Sequence, residues 1–143
     1  INKFFFLHSC SRITKTIIRE RMKNMTDSLY ERLGGTDGIT SIANDLVDIH
    51  MANPAIAPRF ADSDPVKLKN GAATFFITGT GGPSVYEGQD MLAAHKGMNI
   101  SAHEFMAVLD DALEALTRNG ISQREQEEVL FVLYSMRSDI VLV

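Results

Sequence analysis

DPVKLKNGAATFFITGTGGP, residues 64–83, decides what kind of chain this is. Asp64 followed by Pro65 is a strong helix start, because the carboxylate can cap free amides while proline's missing donor costs nothing in the first turn. Leu68, Ala72, Phe75 and Phe76 then recur at helical spacings and share one broad face. TGTGGP at 78–83 halts the helix and begins a loop. The spacing predicts a helix over about 64–78 whose apolar, aromatic side must be covered by something.

The same punctuation continues on both sides. Upstream, residues 37–52 carry Ile39, Ile42, Ala43, Leu46, Val47 and Ile49 at helical intervals, and Pro54 ends the run. A shorter helix around 27–33 precedes it and stops at Gly34-Gly35. Downstream, a short segment at about 88–95 leads into a turn around Gly97. Ser101 with Glu104 has the spacing of a capping box for a helix running to about 118, with Phe105, Val108, Leu109, Ala112 and Leu116 inward; Gly120 closes it. Ser122 with Glu125 repeats the device for a last helix over about 123–140, with Val129, Leu130, Val132, Leu133 and Met136 as core candidates. No stretch alternates over a strand length and no repeat occurs, so the fold class is all-α.

At 143 residues the chain has room for one domain and a sizeable core. Hydrophobic residues make up 45% and charged residues 22%, and no apolar run approaches the roughly 20 residues of a spanning helix. The net charge of −4 is unevenly placed. Residues 1–24 hold Lys3, Arg12, Lys15, Arg19, Arg21 and Lys23 against Glu20, a local +5 that leaves −9 on residues 25–143. An acidic body argues against a nucleic-acid partner. The change in character puts a boundary near Met25, with a basic extension over 1–24 and one domain over 25–143. FFFL at 4–7 is too short for a secretory core. Residues 12–24 are compatible with a short basic amphipathic helix carrying Ile13, Ile17 and Met22; a loosely docked extension is the plainer reading, membrane-surface binding the rarer one. The single cysteine, Cys10, excludes an internal disulfide framework and any all-cysteine metal site within the chain, and fits a reducing, cytoplasmic compartment.

Most chemistries find no support. HExxH is absent, no two histidines share a helix turn, the glycine pairs lack the lysine and hydroxyl of a phosphate loop, and no serine sits in a nucleophile elbow. His95 stands out by context, in MLAAHKGMNI at 91–100 after an apolar stretch. Read alone, it is more often a half-buried core histidine than a ligand. Set against the aromatic face at 68–76, it would also suit a pocket for a flat hydrophobic cofactor whose iron takes a neutral imidazole.

Three segments resemble one family, the group-one truncated haemoglobins. LYERLGG at 29–35 is similar to their opening helix and first glycine pair. FFITGTGGPSVYEG at 75–88 is similar to their middle stretch, with Gly81-Gly82 and the Tyr86 and Gly88 of a Y-x-G element; MLAAHKGMNIS at 91–101 resembles their proximal-histidine segment. The likeness covers about residues 28–140 and implies a two-over-two helical sandwich around haem b. It implies His95 as the axial iron ligand, Phe60 packed on the ring, and Val47, Leu68 and Ala72 on the distal side. Phe75, Met91, Ile100 and Phe105 would wall the haem, and Ser63 and Lys69 would lie near the propionates.

The distal side departs from the family. Where its members place a tyrosine and a glutamine to hold dioxygen, this chain has Val47, Leu68 and Ala72, none of which can donate a hydrogen bond. His50, three residues beyond Val47, is either a substitute distal donor or sixth ligand, or, as the commoner case, an edge or surface histidine; His103 reads as solvent-facing. The resemblance implies reversible binding of dioxygen, carbon monoxide and nitric oxide in an unusually apolar pocket, by a monomer or weak dimer. The alternatives are nitric oxide dioxygenation, which would need a reductase and which the missing donors disfavour, and haem-based sensing, for which no output domain is present.

Overall fold

The computed structural model describes residues 15–19, 22 and 27–143. Residues 15–19 and 22 are helical and exposed, Ile17 and Met22 included; Ile13, His8, the boundary at Met25 and the rest of the extension lie outside the described residues. The body is a series of helices: α1 (Leu29–Arg32), α2 (Gly35–Ala52), a 3-10 turn (Ala57–Phe60), α3 (Pro65–Gly79), α4 (Met91–His95), α5 (Ala102–Arg118), α6 (Gln123–Ser135) and a final 3-10 turn (Arg137–Asp139). The described residues contain no strand, only an isolated parallel bridge between Ile100 and Val141.

Helix α2 is the centre of the packing. It buries Ile39, Ile42, Ala43, Leu46, Val47 and Ile49, and packs chiefly against α3 on one side and α5 on the other. Each large aliphatic side chain buried there contributes roughly 1.5–3 kcal/mol. From α5 come Leu109, Ala112, Ala115 and Leu116, and from α6 only Val129 is fully buried. The last helix is thus a partial cover: Phe131 is 76% exposed, Leu133 packs against the core and also lines a cavity, and Met136 lines that cavity. It also ends at Ser135, five residues earlier than the periodicity predicts, because the chain tightens into the 3-10 turn and brings Val141 beside Ile100.

Local chemistry explains the helix starts. Asp64 accepts from the amides of Val66 at 2.9 Å and Lys67 at 3.4 Å, as the Asp-Pro pair predicts. Ser101 and Glu104 form a full capping box. Ser122 does not: its hydroxyl donates to the Glu125 carboxylate, and no side chain caps α6. Glu125 is drawn instead toward Arg32 on α1, whose guanidinium also forks onto Glu128 and ties the first and last helices together.

Two glycine positions follow from geometry. Gly34 sits at φ +92°, the left-handed turn that lets α2 start immediately after α1. At Gly82 a Cβ would lie 2.5 Å from the Tyr30 ring and 2.7 Å from the Ile77 carbonyl, so the second glycine pair is where the loop after α3 is pressed onto α1.

Candidate functional site

Between α2, α3, α4 and α5 lies a cavity of about 620 Å³ with a predominantly apolar lining. That is within the range of about 300–1,000 Å³ typical of small-molecule and cofactor sites. Val47, Phe60, Ser63, Leu68, Ala72, Phe75, Met91, His95, Ile100 and Phe105 all line it, so ten of the eleven residues singled out from the sequence meet around one space. The helical period explains why: Leu68, Ala72, Phe75 and Phe76 face it from α3, while Ala73 and Ile77 turn into the core.

Lys69 is the exception and a correction. It points away from the cavity into a groove between α2 and α3, and its Nζ pairs with Asp48 Oδ1 at 2.7 Å. Lys67, two positions earlier, takes its place at the cavity's edge. Two residues apart on a helix is a turn of about 200°, enough to put neighbouring lysines on opposite sides. Arg59 stands at the same mouth, its guanidinium bound to both Glu104 oxygens and, at 2.9 Å, to the Met98 carbonyl. Glu104 is held down at about 2 by the Arg59 hydrogen bond and then by the Ser101 amide.

His95 closes the short helix α4. Its Nδ1–H donates to the Met91 carbonyl at 2.7 Å, one turn back in the same helix. With a proton held on Nδ1, Nε2 is the nitrogen left to act as a ligand, and the half-buried side chain lines the cavity. Gly97 at φ +82° follows at once, so the chain reverses directly after the imidazole.

His50 is a second correction. It is neither an edge nor a surface residue: it is only 9% exposed, lines the cavity, and its Nδ1 donates to Asp111 Oδ2 at 2.7 Å. Phe60 lies parallel to its ring, with centroids 5.8 Å apart and 3° between planes. Burial lowers its pKa from the usual 6.5, against the opposing pull of Asp111. Asp111 is itself buried, and its other oxygen accepts from Asn53 Nδ2 at 2.9 Å. The cavity lining beside Val47 is therefore not wholly apolar. Sequence reasoning missed Asp111, although a signal existed: it is three residues from Val108 and four from Ala115, inside the apolar arc of α5, where an unpaired carboxylate would be costly. Tyr86 was quoted only as part of a motif; it lines the cavity edge-on to Phe75 at 5.3 Å, anchored by its hydroxyl on the Gln89 carbonyl. His103 is exposed.

Among the described residues, no group of three or more histidine, cysteine or acidic side chains could hold a bare metal ion, and no helix is long and apolar enough to cross a membrane. The donor set and lining suit a planar apolar group that brings most of its iron's ligands with it. The family model for the bacterial-like globins matches residues 28–141. The chain belongs to the bacterial-like globin family. The group 1 truncated haemoglobin of Mycolicibacterium paratuberculosis is 26% identical to this globin over 113 residues, covering 79% of this chain and 83% of the relative. That of a Synechocystis species is 29% identical over 109 residues, 73% and 88% of the two chains. The solved Fe(III) form of the Tetrahymena pyriformis truncated haemoglobin shares 25% identity and matches with a TM-score of 0.79 over 82% of this globin and all of that chain. The fold is thus the truncated two-over-two globin sandwich, haem is the cofactor, and haem-based gas binding is the general activity.

Proposed function

We infer that this globin holds haem iron through His95 Nε2 and binds small diatomic ligands on the opposite side, releasing dioxygen readily. The observation that carries the reading is the His95 geometry: a ring whose Nδ1–H is committed to the Met91 carbonyl and whose free nitrogen borders a large apolar cavity. A hydrogen bond on the far nitrogen fixes tautomer and orientation and raises the basicity of the ligating one. When bound, haem supplies an iron able to take up a diatomic gas at its open position.

The chain's own residues do the rest. Phe75, Phe105, Ile100 and Met91 keep water from the interior, and Lys67 and Arg59 at the mouth suit the two carboxylates of haem b. Val47, Leu68 and Ala72 line the cavity and cannot donate to a polar ligand. A ligand that gains negative charge on binding, as dioxygen would, would lose most from such a lining, and carbon monoxide would lose least. Nitric oxide dioxygenation gains no support from this lining.

Optical spectra of the ferric, ferrous and carbonyl forms, in wild type and His95→Ala, test the reading. Wild type should give a Soret band with a single-histidine ferrous spectrum, and His95→Ala should lose it. Unchanged bands in the variant would sink the assignment of His95.

A further inference from the structure

The protons beside the distal wall can be followed one by one. The Ala55 amide can only donate, and it donates to Asn53 Oδ1 at 3.0 Å. That orients the Asn53 side chain, so its Nδ2 is the atom that donates to Asp111 Oδ1. The second Asp111 oxygen meets His50 Nδ1. A carboxylate only accepts, which puts the imidazole proton on Nδ1 and leaves Nε2 a bare lone pair. Among the described residues Nε2 has no hydrogen-bond partner, yet no buried side-chain nitrogen or oxygen goes unpartnered, so Nε2 is not sealed within protein. Its residue lines the cavity, and that is its open side. The pose is also hard to leave. Asp111 grips one edge of the ring, and Phe60 lies parallel to it with centroids 5.8 Å apart.

We propose that His50 is a hydrogen-bond acceptor facing the ligand side of the haem, with Asp111 and Asn53 as its positioning residues, so that the pocket favours small ligands carrying their own hydrogen, such as hydrogen sulfide, over dioxygen. The proposal rests on the haem reading above and fixes its ligand preference. A protonated Nε2 would hold the negative end of dioxygen; a lone pair there repels it and instead accepts an S–H or O–H hydrogen. Burial keeps the ring neutral at ordinary pH, so the lone pair is the form present.

Three measurements decide. In the ¹⁵N-labelled ferrous carbonyl protein, NMR should find the His50 proton on Nδ1 and Nε2 unprotonated; a proton on Nε2 overturns the proposal. Sulfide titration of the ferric protein, at a pH where neutral hydrogen sulfide predominates, should show about a tenfold loss of affinity in His50→Leu, the worth of one good hydrogen bond, and a larger loss than that variant shows for carbon monoxide on the ferrous form. Dioxygen release from His50→Leu should be no faster than from wild type. Faster release, or unchanged sulfide affinity, would mean that the ring donates or does not reach the ligand. Asp111→Asn supplies the reverse test: its amide oxygen would accept from Asn53 and its NH₂ would donate to His50 Nδ1, moving the proton to Nε2. Dioxygen release should then slow, and the NMR pattern invert. A two-histidine spectrum that disappears in His50→Leu would show Nε2 on the iron and refute the acceptor role. If the protein takes up no haem, the haem reading falls, while the nitrogen spectrum of the ¹⁵N-labelled apoprotein still reports the tautomer, and a proton on Nε2 there overturns the proposal.

Discussion

The cavity holds two imidazoles that are supported in opposite ways. His95 ends a five-residue helix with exposed neighbours, and the partner of its Nδ1 is a backbone carbonyl that no substitution can remove. His50 is embedded in the eighteen-residue helix at the centre of the core, and its partner is a buried carboxylate supplied by another helix. Both rings are thereby left with a bare Nε2, yet by different means: the proximal one by a local turn, the distal one by long-range packing. The difference teaches that the His95 nitrogen is built into local backbone geometry and the His50 one into the tertiary fold, so substitutions should separate them.

The largest effect should come from the proximal side. His95→Ala removes the sole nitrogen offered from α4, and the Soret band, read against total protein, should fall to a small fraction of wild type while the helical circular dichroism stays. Next is the distal carboxylate. Asp111→Ala leaves the buried His50 donor and the half-buried Asn53 donor without an acceptor, which should cost roughly 1–3 kcal/mol in urea unfolding. Haem retention should change far less than in His95→Ala. An equal loss in both variants would mean that the two supports are not independent.

A smaller contrast lies in pH. The folded state lowers the His50 pKa, so between 6.5 and the lowered value the unfolded chain binds more protons than the folded one. Stability of the apoprotein should therefore decline as pH falls below about 6.5, and His50→Leu should flatten that decline. Glu104 works in the same direction in a lower window: held at about 2, its contribution is complete above the ordinary carboxylate range and is lost only as pH falls through that range toward 2. The smallest change is expected at the mouth. Lys67→Ala should leave melting temperature almost unmoved and speed haem transfer to a scavenging globin only modestly, since an exposed lysine contributes little.

Most of the helical frame could be read from the chain because it rests on local signals. The Asp64-Pro65 start, the Ser101–Glu104 box and the spacing of Leu68, Ala72 and Phe75 each act within a turn or two, and each recurs in the structure. What escaped reading depends on partners distant in sequence. Ser122 lost its capping role because Glu125 is engaged by Arg32, 93 residues away. His50 looked like an edge residue because its partner Asp111 lies 61 positions on; the carboxylate inside the apolar arc of α5 signals that it needs a partner, but not which one. Lys69 was misplaced by a mere two residues, since proximity in sequence does not fix which side of a helix a long side chain takes. Boundaries failed in the same manner at α6, whose early end answers to the bridge at Ile100.

That bridge carries a consequence for how the globin is made. Val141 pairs beside Ile100, the Leu142 amide donates to the Ile100 carbonyl, and the Gly97 amide donates to the Val143 carbonyl. The segment just after His95 is therefore fastened by residues that leave the ribosome some forty positions later. During synthesis the central helices can pack first, and the His95 side of the cavity gains this tether only when the later segment arrives, so the cavity is completed after the helices that frame it.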